Sequence, residues 1–235
     1  MPLAPSFDTV GWFARSPGVL DKVARVLFAD GYLDSGRPQS LLLAEDCFAL
    51  LGEPERHILL HAAAALANGL ELPTETVTVS EEGLEHWMAA FRRLQGREIW
   101  AIHSEWIRTT RPRFGPGIRE RFEMAANLGD NCKAEDEALR DRVAERMTRL
   151  LRGGHWLCLP TTAGVAPRPS LPETILNSIR NRVLCLTCIA GLARLPQINL
   201  PFAKKDGLPL GLSLVAAPNG DEDLLQGALA VENLV

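Results

Sequence analysis

The chain has 235 residues, of which 46% are apolar, enough for one large hydrophobic core or two small ones. Its net charge of −4 favours neither nucleic acid nor an anionic membrane surface as a partner. No run approaches the roughly 18 uninterrupted apolar residues of a membrane span, and no signal peptide is visible. We therefore expect a cytoplasmic globular protein that binds neither nucleic acid nor a membrane.

The N-terminal segment predicts an extended stretch followed by a helix. Proline and glycine punctuate residues 1–15, and Ser16-Pro17 supplies the N-cap and first residue of a helix that should end at Gly31. Five residues form one apolar face of this helix: Val19, Leu20, Val23, Val26 and Leu27.

Two short strands and a helix follow. Residues 41–44 are uniformly apolar, which is typical of a buried strand, and residues 74–79 alternate with β-branched side chains. Residues 54–68 between them predict a helix that stops at Gly69.

The middle of the chain, about residues 80–153, is helical in pattern almost throughout. A helix begins near Ser80, and we expect breaks at Gly96, around residues 112–116 and at 129–130. Residues 133–152 carry acidic residues early and basic residues late, which matches the helix dipole.

The last quarter predicts three strands and two helices. Residues 156–159 form an apolar strand ended by a proline, and a helix of increasingly small residues follows. Asp206-Gly207 is a hairpin signal between two further strands. The predicted helices are 172–193 and one capped by Asp221, and the strands are 197–200 and 210–216. The pattern as a whole favours one α/β domain over residues 1–235, with a mixed β-sheet flanked by helices.

Five scattered cysteines do not form a disulfide framework and suit a reducing compartment. Cys185 and Cys188 form a CxxC pair, but the second pair or the histidines that zinc needs are absent at the required spacing. Their neighbours are apolar, so we interpret both cysteines as core residues and expect no metal site. An enzyme that relies on cysteine and histidine has the least support.

Both ends of the chain resemble the amidase signature family. At the start, a Ser-x-Asp-x-x-Gly-x-x-Ala-Arg segment leads into a helix, as it does at the end of the family's signature block. The tail is similar to the family's closing block in its Leu-x-Pro-Thr strand end and its Gly-Leu-Pro-x-Gly hairpin. The matching residues are Ser6, Asp8, Thr9, Gly11, Ala14, Arg15, 159–161, Gly191, Pro196, 207–212, Leu224, Leu225 and Glu232.

The resemblance implies hydrolysis of carboxylic amides through a serine nucleophile, a second serine in a cis peptide and a lysine, without a cofactor. A serine hydroxyl needs a base to become nucleophilic, and the oxyanion needs pre-aimed donors. In the family these groups precede the Asp-Thr-x-Gly segment, so they would lie upstream of Met1. The resemblance therefore assigns no catalytic residue here and predicts an amidase fold without its N-terminal part.

The resemblance also implies roles for five residues. Trp106, Thr161 and Thr162 would border the pocket for the acyl group, although a simple Pro-Thr-Thr turn explains the threonines equally well. Asp8 and Thr9 would support the catalytic loop through hydrogen bonds.

Two functions remain open at this point. The chain is either the C-terminal part of an amidase, inactive alone, or a non-catalytic binding or interaction module derived from that fold. In either case a small amide or carboxylate is the expected ligand. Because strands would be missing from the sheet, an apolar strand edge should be exposed, which would allow a homo-oligomer to form through it.

Overall fold

A computed structural model of the chain describes residues 2–28, 37–115 and 117–234, which form an α/β fold with one five-stranded sheet. The strands are β1 (Ser40–Ala44), β2 (Thr74–Val77), β3 (His155–Pro160), β4 (Gln197–Lys205) and β5 (Leu208–Val215). The helices are α1 (Pro17–Leu27), α2 (Glu45–Phe48), α3 (Glu53–Leu70), α4 (Leu84–Thr110), α5 (Ile118–Asn127), α6 (Lys133–Leu151), α7 (Glu173–Ala193) and α8 (Asp221–Ala230), and a short 3₁₀ helix covers Glu232–Leu234.

The sheet is mixed, with the strand order β2-β1-β3-β5-β4. β1 runs parallel to both β2 and β3, while β5 runs antiparallel to both β3 and β4. β3 is therefore the central strand, and every residue of it after His155 is buried. The predicted α/β class with a mixed sheet flanked by helices is confirmed.

Each face of the sheet carries its own hydrophobic core because successive side chains of a strand point to opposite faces. Leu157 and Leu159 of β3 enter a first core that contains the buried residues of α4, α6 and α7. Trp156 and Cys158 enter a second core that contains residues of α1, α3 and α8. Helices thus cover both faces, as an α/β sheet with parallel strands requires.

Most of the predicted elements are confirmed; the predicted helix stop at Gly69 is one residue early, and the predicted break at Gly96 is wrong. α3 ends at Leu70, one residue beyond Gly69, and the next residue, Glu71, takes the left-handed conformation with φ of 55°. α4 runs straight through Gly96, and the glycine is needed for packing, because a Cβ at that position would lie only 2.8 Å from Leu128 Cδ1. The missing side chain lets the segment after α5 approach α4. The predicted stop at Gly31 lies outside the described residues.

Two helix starts also differ from the sequence prediction. Ser80 lies in the loop before α4, which begins at Leu84, and Asp221 is the first residue of α8 rather than its cap.

The N-terminal segment is held against the first core by a polar cluster. The backbone N–H of Ser6 donates to Glu98 Oε2 over 2.9 Å, and the Ser6 hydroxyl donates to Glu98 Oε1. Arg140 donates to the Ser6 hydroxyl over 2.6 Å and to the Ser6 carbonyl over 2.9 Å. The ring of Phe7 lies under the Arg140 guanidinium and edge-on to Phe91. These contacts fix residues 6 and 7 on α4 and α6.

The sheet has two edge strands, β2 and β4. Among the described strands, β2 pairs with β1 alone, and Thr74, Glu75 and Thr76 are exposed. β2 therefore offers an open edge with polar side chains, and the expected apolar edge that would allow a homo-oligomer stays a prediction. The apolar face of α1 is also partly open, with Val26 and Leu27 exposed.

The buried cysteines lie within the cores. Cys185 and Cys188 are buried on α7, as expected from their apolar neighbours. Of the described helices, α7 is the one whose length and apolarity would suffice to cross a membrane, and its C-terminal half belongs to the first core. Core helices of soluble proteins often share that composition.

Asp136 on α6 forms a buried ion-pair cluster with two arginines of α4. Its carboxylate lies 2.5 Å from a terminal nitrogen of Arg93 and 2.7 Å from one of Arg97, and its side chain is only 2% exposed. Burial acts to raise the pKa of Asp136, but the hydrogen bonds from Arg93 and Arg97 outweigh it and lower the pKa below its ordinary value. The cluster ties the two long helices of the first core together.

We predict that Asp136→Asn lowers the free energy of unfolding by about 3 kcal/mol at pH 7, since it leaves two arginines facing a neutral amide. Because the folded pKa of Asp136 lies below its unfolded value of about 4, the ionised form stabilises the fold above pH 4. The difference between the proteins should therefore shrink below pH 4. Urea unfolding followed by tryptophan fluorescence measures it.

Glu145→Gln is the matched control, because Glu145 and Arg149 form an exposed ion pair on the same helix. That variant should change stability by less than about 1 kcal/mol. Equal effects of the two substitutions, or an Asp136→Asn effect that does not shrink between pH 7 and pH 2, would contradict the role of the buried cluster.

We predict that Gly227→Ala destabilises the protein while Gly18→Ala does not. A Cβ on Gly227 of α8 would clash with Trp156 Cη2 and lie 2.6 Å from Cζ3, whereas a Cβ on Gly18 meets nothing nearer than 3.6 Å. Overpacking a core costs about 1–3 kcal/mol, more than the roughly 1 kcal/mol of helix propensity that alanine restores. Thermal unfolding of both variants checks this, and a Gly227→Ala protein as stable as the Gly18→Ala protein would refute the close packing of α8 on β3.

Candidate functional site

A cleft opens where β3 ends. The loop of residues 161–167 that follows β3 forms one wall, α7 forms the second, and the hairpin of β4 and β5 forms the floor. The cavity volume is about 570 Å³, which lies within the range of small-molecule sites. The side chains that line the cleft include Glu55, Thr161, Thr162, Ile179, Arg182 and Asn199. The carboxyl end of a parallel strand is where α/β sheets commonly bind ligands.

A polar network forms the floor of the cleft. The Thr161 hydroxyl donates to Asn199 Oδ1 over 2.5 Å and lies 3.0 Å from the Ser213 hydroxyl. Gln197 Nε2 donates to the same Ser213 oxygen over 2.8 Å, and the Thr161 N–H donates to the Gly211 carbonyl over 2.9 Å. The network joins the ends of three strands, so the floor is held rigidly by the sheet.

Gly211 makes this network possible. A Cβ at that position would overlap Asn199 Oδ1 and lie 2.9 Å from Thr161 Oγ1. The hydrogen atom that replaces it leaves room for the Asn199 side chain to lie across β5. Gly211 belongs to the Gly-Leu-Pro-x-Gly hairpin, but its role depends on Asn199 of the neighbouring strand β4.

Of the charged side chains around the cleft, Glu55 forms an ion pair with Lys205, whereas Arg182 forms none with a described residue. Glu55, at the start of α3, accepts a hydrogen bond from Lys205 Nζ over 2.5 Å. This bond is the largest cause that lowers the pKa of Glu55, and it raises the pKa of Lys205. Arg182 is half-buried, its Nε is buried without a partner, and no ion pair joins its side chain to another described residue.

The structure brings two of the three predicted pocket residues together. Thr161 and Thr162 both line the cleft, and the Thr162 hydroxyl donates to the Gly164 carbonyl over 2.7 Å, which shapes the loop. Trp106 does not line it. This tryptophan lies near the end of α4, 41% exposed, where its ring meets those of His103 and Phe114.

The two predicted support residues lie in the N-terminal segment. The Asp8 carboxylate accepts hydrogen bonds from the N–H groups of Leu3 and Ala4 over 2.9 and 3.1 Å, and it thereby closes a turn. Thr9 is exposed. The catalytic-loop role of these residues stays a prediction.

Sequence reasoning missed Arg182, Asn199 and Gly211 as cleft residues. A signal for Asn199 exists, because Gln197 and Asn199 are polar at alternate positions of an otherwise apolar strand and so share one face. Arg182 gives no such signal, since Arg180 stands two residues before it on the same helix and only the fold distinguishes the two.

A second, smaller depression of about 230 Å³ lies between α4 and α6. Its charged residues are matched to one another, since Arg146 pairs with Glu81 over 2.7 Å and Arg142 with Glu82 over 3.6 Å. This leaves no charge for a ligand, so the cleft beyond β3 is the better candidate site. Within the described ranges, no three histidine, cysteine, aspartate or glutamate residues come together as metal ligands.

Known proteins resemble this chain over nearly its whole length. It is 30% identical to Amidase 1 of Oryza sativa subsp. japonica over 96% of this chain and 58% of that protein. It is 26% identical to the translocon at the outer membrane of chloroplasts 64 of Pisum sativum over 96% of this chain and 42% of that protein. The chain thus spans about half the length of the curated relatives it matches.

A solved amidase structure covers the entire chain with a TM-score of 0.86 and 24% identity, while the chain covers 55% of that structure. This likeness shows the fold. The family model described as Amidase matches residues 76–225, which include the middle helices as well as the cleft. The chain therefore belongs to the amidase family.

Proposed function

We propose that the chain is the C-terminal, substrate-binding part of an amidase-like hydrolase that acts on carboxylic amide C–N bonds. The catalytic serine, second serine and lysine would come from a polypeptide that corresponds to the part of the relatives this chain does not span. The parent reaction is amide plus water to carboxylate plus ammonia or amine. On its own the chain does not hydrolyse amides.

This proposal rests on one observation: the cleft is formed, but none of the described lysines is placed to act as the base that activates a nucleophile. A lysine acts as a base only if burial or a nearby cation lowers its pKa. Lys22, Lys133 and Lys204 are exposed, and the bond to Glu55 raises the pKa of Lys205. At neutral pH Lys205 therefore keeps its proton and cannot accept one from a serine.

The cleft fits the role of holding the acyl group. Its floor is fixed by the hydrogen bonds of Thr161, and its α7 wall presents Ile179 and Val183, which are apolar. A mobile acyl chain would lose entropy when it is held, and a rigid wall lowers the additional cost of ordering the protein.

The alternative is a non-catalytic binding module derived from the same fold. One relative supports it, since the Pisum sativum protein bears the name of a translocon component rather than that of a hydrolase. Relatives named for chloroplast and mitochondrial outer envelopes also exist. For this chain the cytoplasm stays our proposal, supported by five free cysteines among the described residues.

We predict that the purified chain releases no ammonia from a panel of aliphatic and aromatic primary amides above the rate in buffer. We also expect no labelling by a fluorophosphonate probe, because the probe needs a serine activated by a base. An amidase of full family length serves as the positive control. Turnover or labelling that follows the 25.7-kDa chain through purification would contradict the proposal.

Sequencing the coding DNA on the 5′ side of Met1 separates the two functions. An open frame that encodes a lysine and a Gly/Ser-rich loop supports the amidase part. A ribosome-binding site preceded by a stop codon supports the independent binding module.

A further inference from the structure

We propose that Arg182 is the anion-recognition residue of the cleft and that the cleft binds a small carboxylate with an apolar body. The proposal deepens the proposed function, because it rests on the same cleft and names the chemistry of its ligand. It starts from Arg182, which lines the cleft and forms no ion pair with another described residue.

The balance of charge in the cleft favours an anion. Glu55 carries the negative charge, but Lys205 already pairs with it over 2.5 Å. The charge of Arg182 also helps to lower the pKa of Glu55, but Arg182 forms no ion pair with any described residue, and its buried Nε has no hydrogen-bond acceptor. A buried donor without an acceptor is unfavourable, so an acceptor that reaches the Arg182 guanidinium from the cleft would be stabilised there.

The free hydrogen-bond donors favour a carboxylate in particular. Asn199 uses its Oδ1 to accept from Thr161, so its Nδ2 hydrogens remain available beside the cleft. An arginine fork matches the two oxygens of a carboxylate, and a carboxylate can accept a further bond from an amide. Arg182 and Asn199 both line the cleft, and both side chains carry donors that suit a group that only accepts.

The remaining wall favours an apolar body on the ligand. Ile179 and Val183 lie one helical turn apart on α7 and line the cleft with Val165 of the loop beyond β3. With a volume of about 570 Å³, the cleft accommodates a small carboxylic acid. A carboxylate of this kind has two sources in amidase chemistry: the acid that hydrolysis releases, or an amide substrate that carries a second carboxylate.

Calorimetric titration of the whole chain tests the proposal with three probes. Phenylacetate represents a released acid, glutaramate represents an amide with a second carboxylate, and phenylacetamide is the neutral comparison. We expect one or both anions to bind at least tenfold more tightly than phenylacetamide, and to bind more weakly as salt increases. The tighter of the two anions identifies the source. Equal binding of all three probes, or no binding of either anion, would overturn the proposal.

Substitutions connect the binding to the residue. Arg182→Gln should weaken anion binding about tenfold or more and leave phenylacetamide binding unchanged. Arg182→Lys keeps the charge but loses the planar guanidinium, so its affinity for the anions should lie between those of the original chain and Arg182→Gln. Arg180→Gln is the matched control on the same helix, since Arg180 is exposed and pairs with Glu173 over 2.6 Å. Arg182→Gln binding anions as tightly as Arg180→Gln would refute the assignment.

A further variant tests the floor without removing the charge. Gly211→Ala would displace Asn199, because its Cβ overlaps Asn199 Oδ1, so it should weaken anion binding although Arg182 is intact. Thermal unfolding of each variant confirms that it is folded. None of these titrations depends on turnover. Amide hydrolysis by the chain alone would therefore refute the proposed function and leave this inference standing. Failure of the anions to bind would refute this inference and leave the proposed function standing.

Discussion

The structure depends on the double pairing of β3. This strand pairs in parallel with β1 through Trp156–Cys158 and antiparallel with β5 through Leu157–Pro160, so it joins the two halves of the sheet. Its alternate side chains enter both cores, which makes it the strand that every helix layer packs around. Because Pro160 ends the strand at a fixed position in the sheet, the loop that follows opens at a fixed place. The cleft is therefore a consequence of where β3 stops.

The chemistry of the cleft follows from which polar groups the fold satisfies and which it leaves free. Thr161 and Gln197 both form hydrogen bonds with Ser213 and hold the floor. Glu55 is neutralised by a lysine 150 residues away in the chain. Arg182 alone among the charged cleft residues keeps an unmatched donor. A site with a rigid floor, an apolar wall and an arginine outside any described ion pair is suited to binding.

The sequence predicts best where the physical signal is local. Ser16-Pro17 begins α1, and Asp206-Gly207 turns β4 into β5 with φ of 51° and 80°, because capping and turn geometry depend on adjacent residues. Gly96 was mispredicted as a break, since only tertiary contact with Leu128 explains a glycine inside α4. Arg182 escaped notice for a related reason: the pairing of Glu55 with Lys205 decides which charge stays free, and that pairing joins distant segments.

The central claim is that this portion of the amidase fold is preformed around β3 without the rest of the family's length. Hydrogen–deuterium exchange of the isolated chain tests it most directly. We expect the amides of residues 157–159 and 212–215 to exchange only through global unfolding, with the same dependence on urea as tryptophan fluorescence. If these amides instead exchange at the rates of an unstructured peptide while α4 and α6 stay protected, the cleft is not preformed and the account is contradicted.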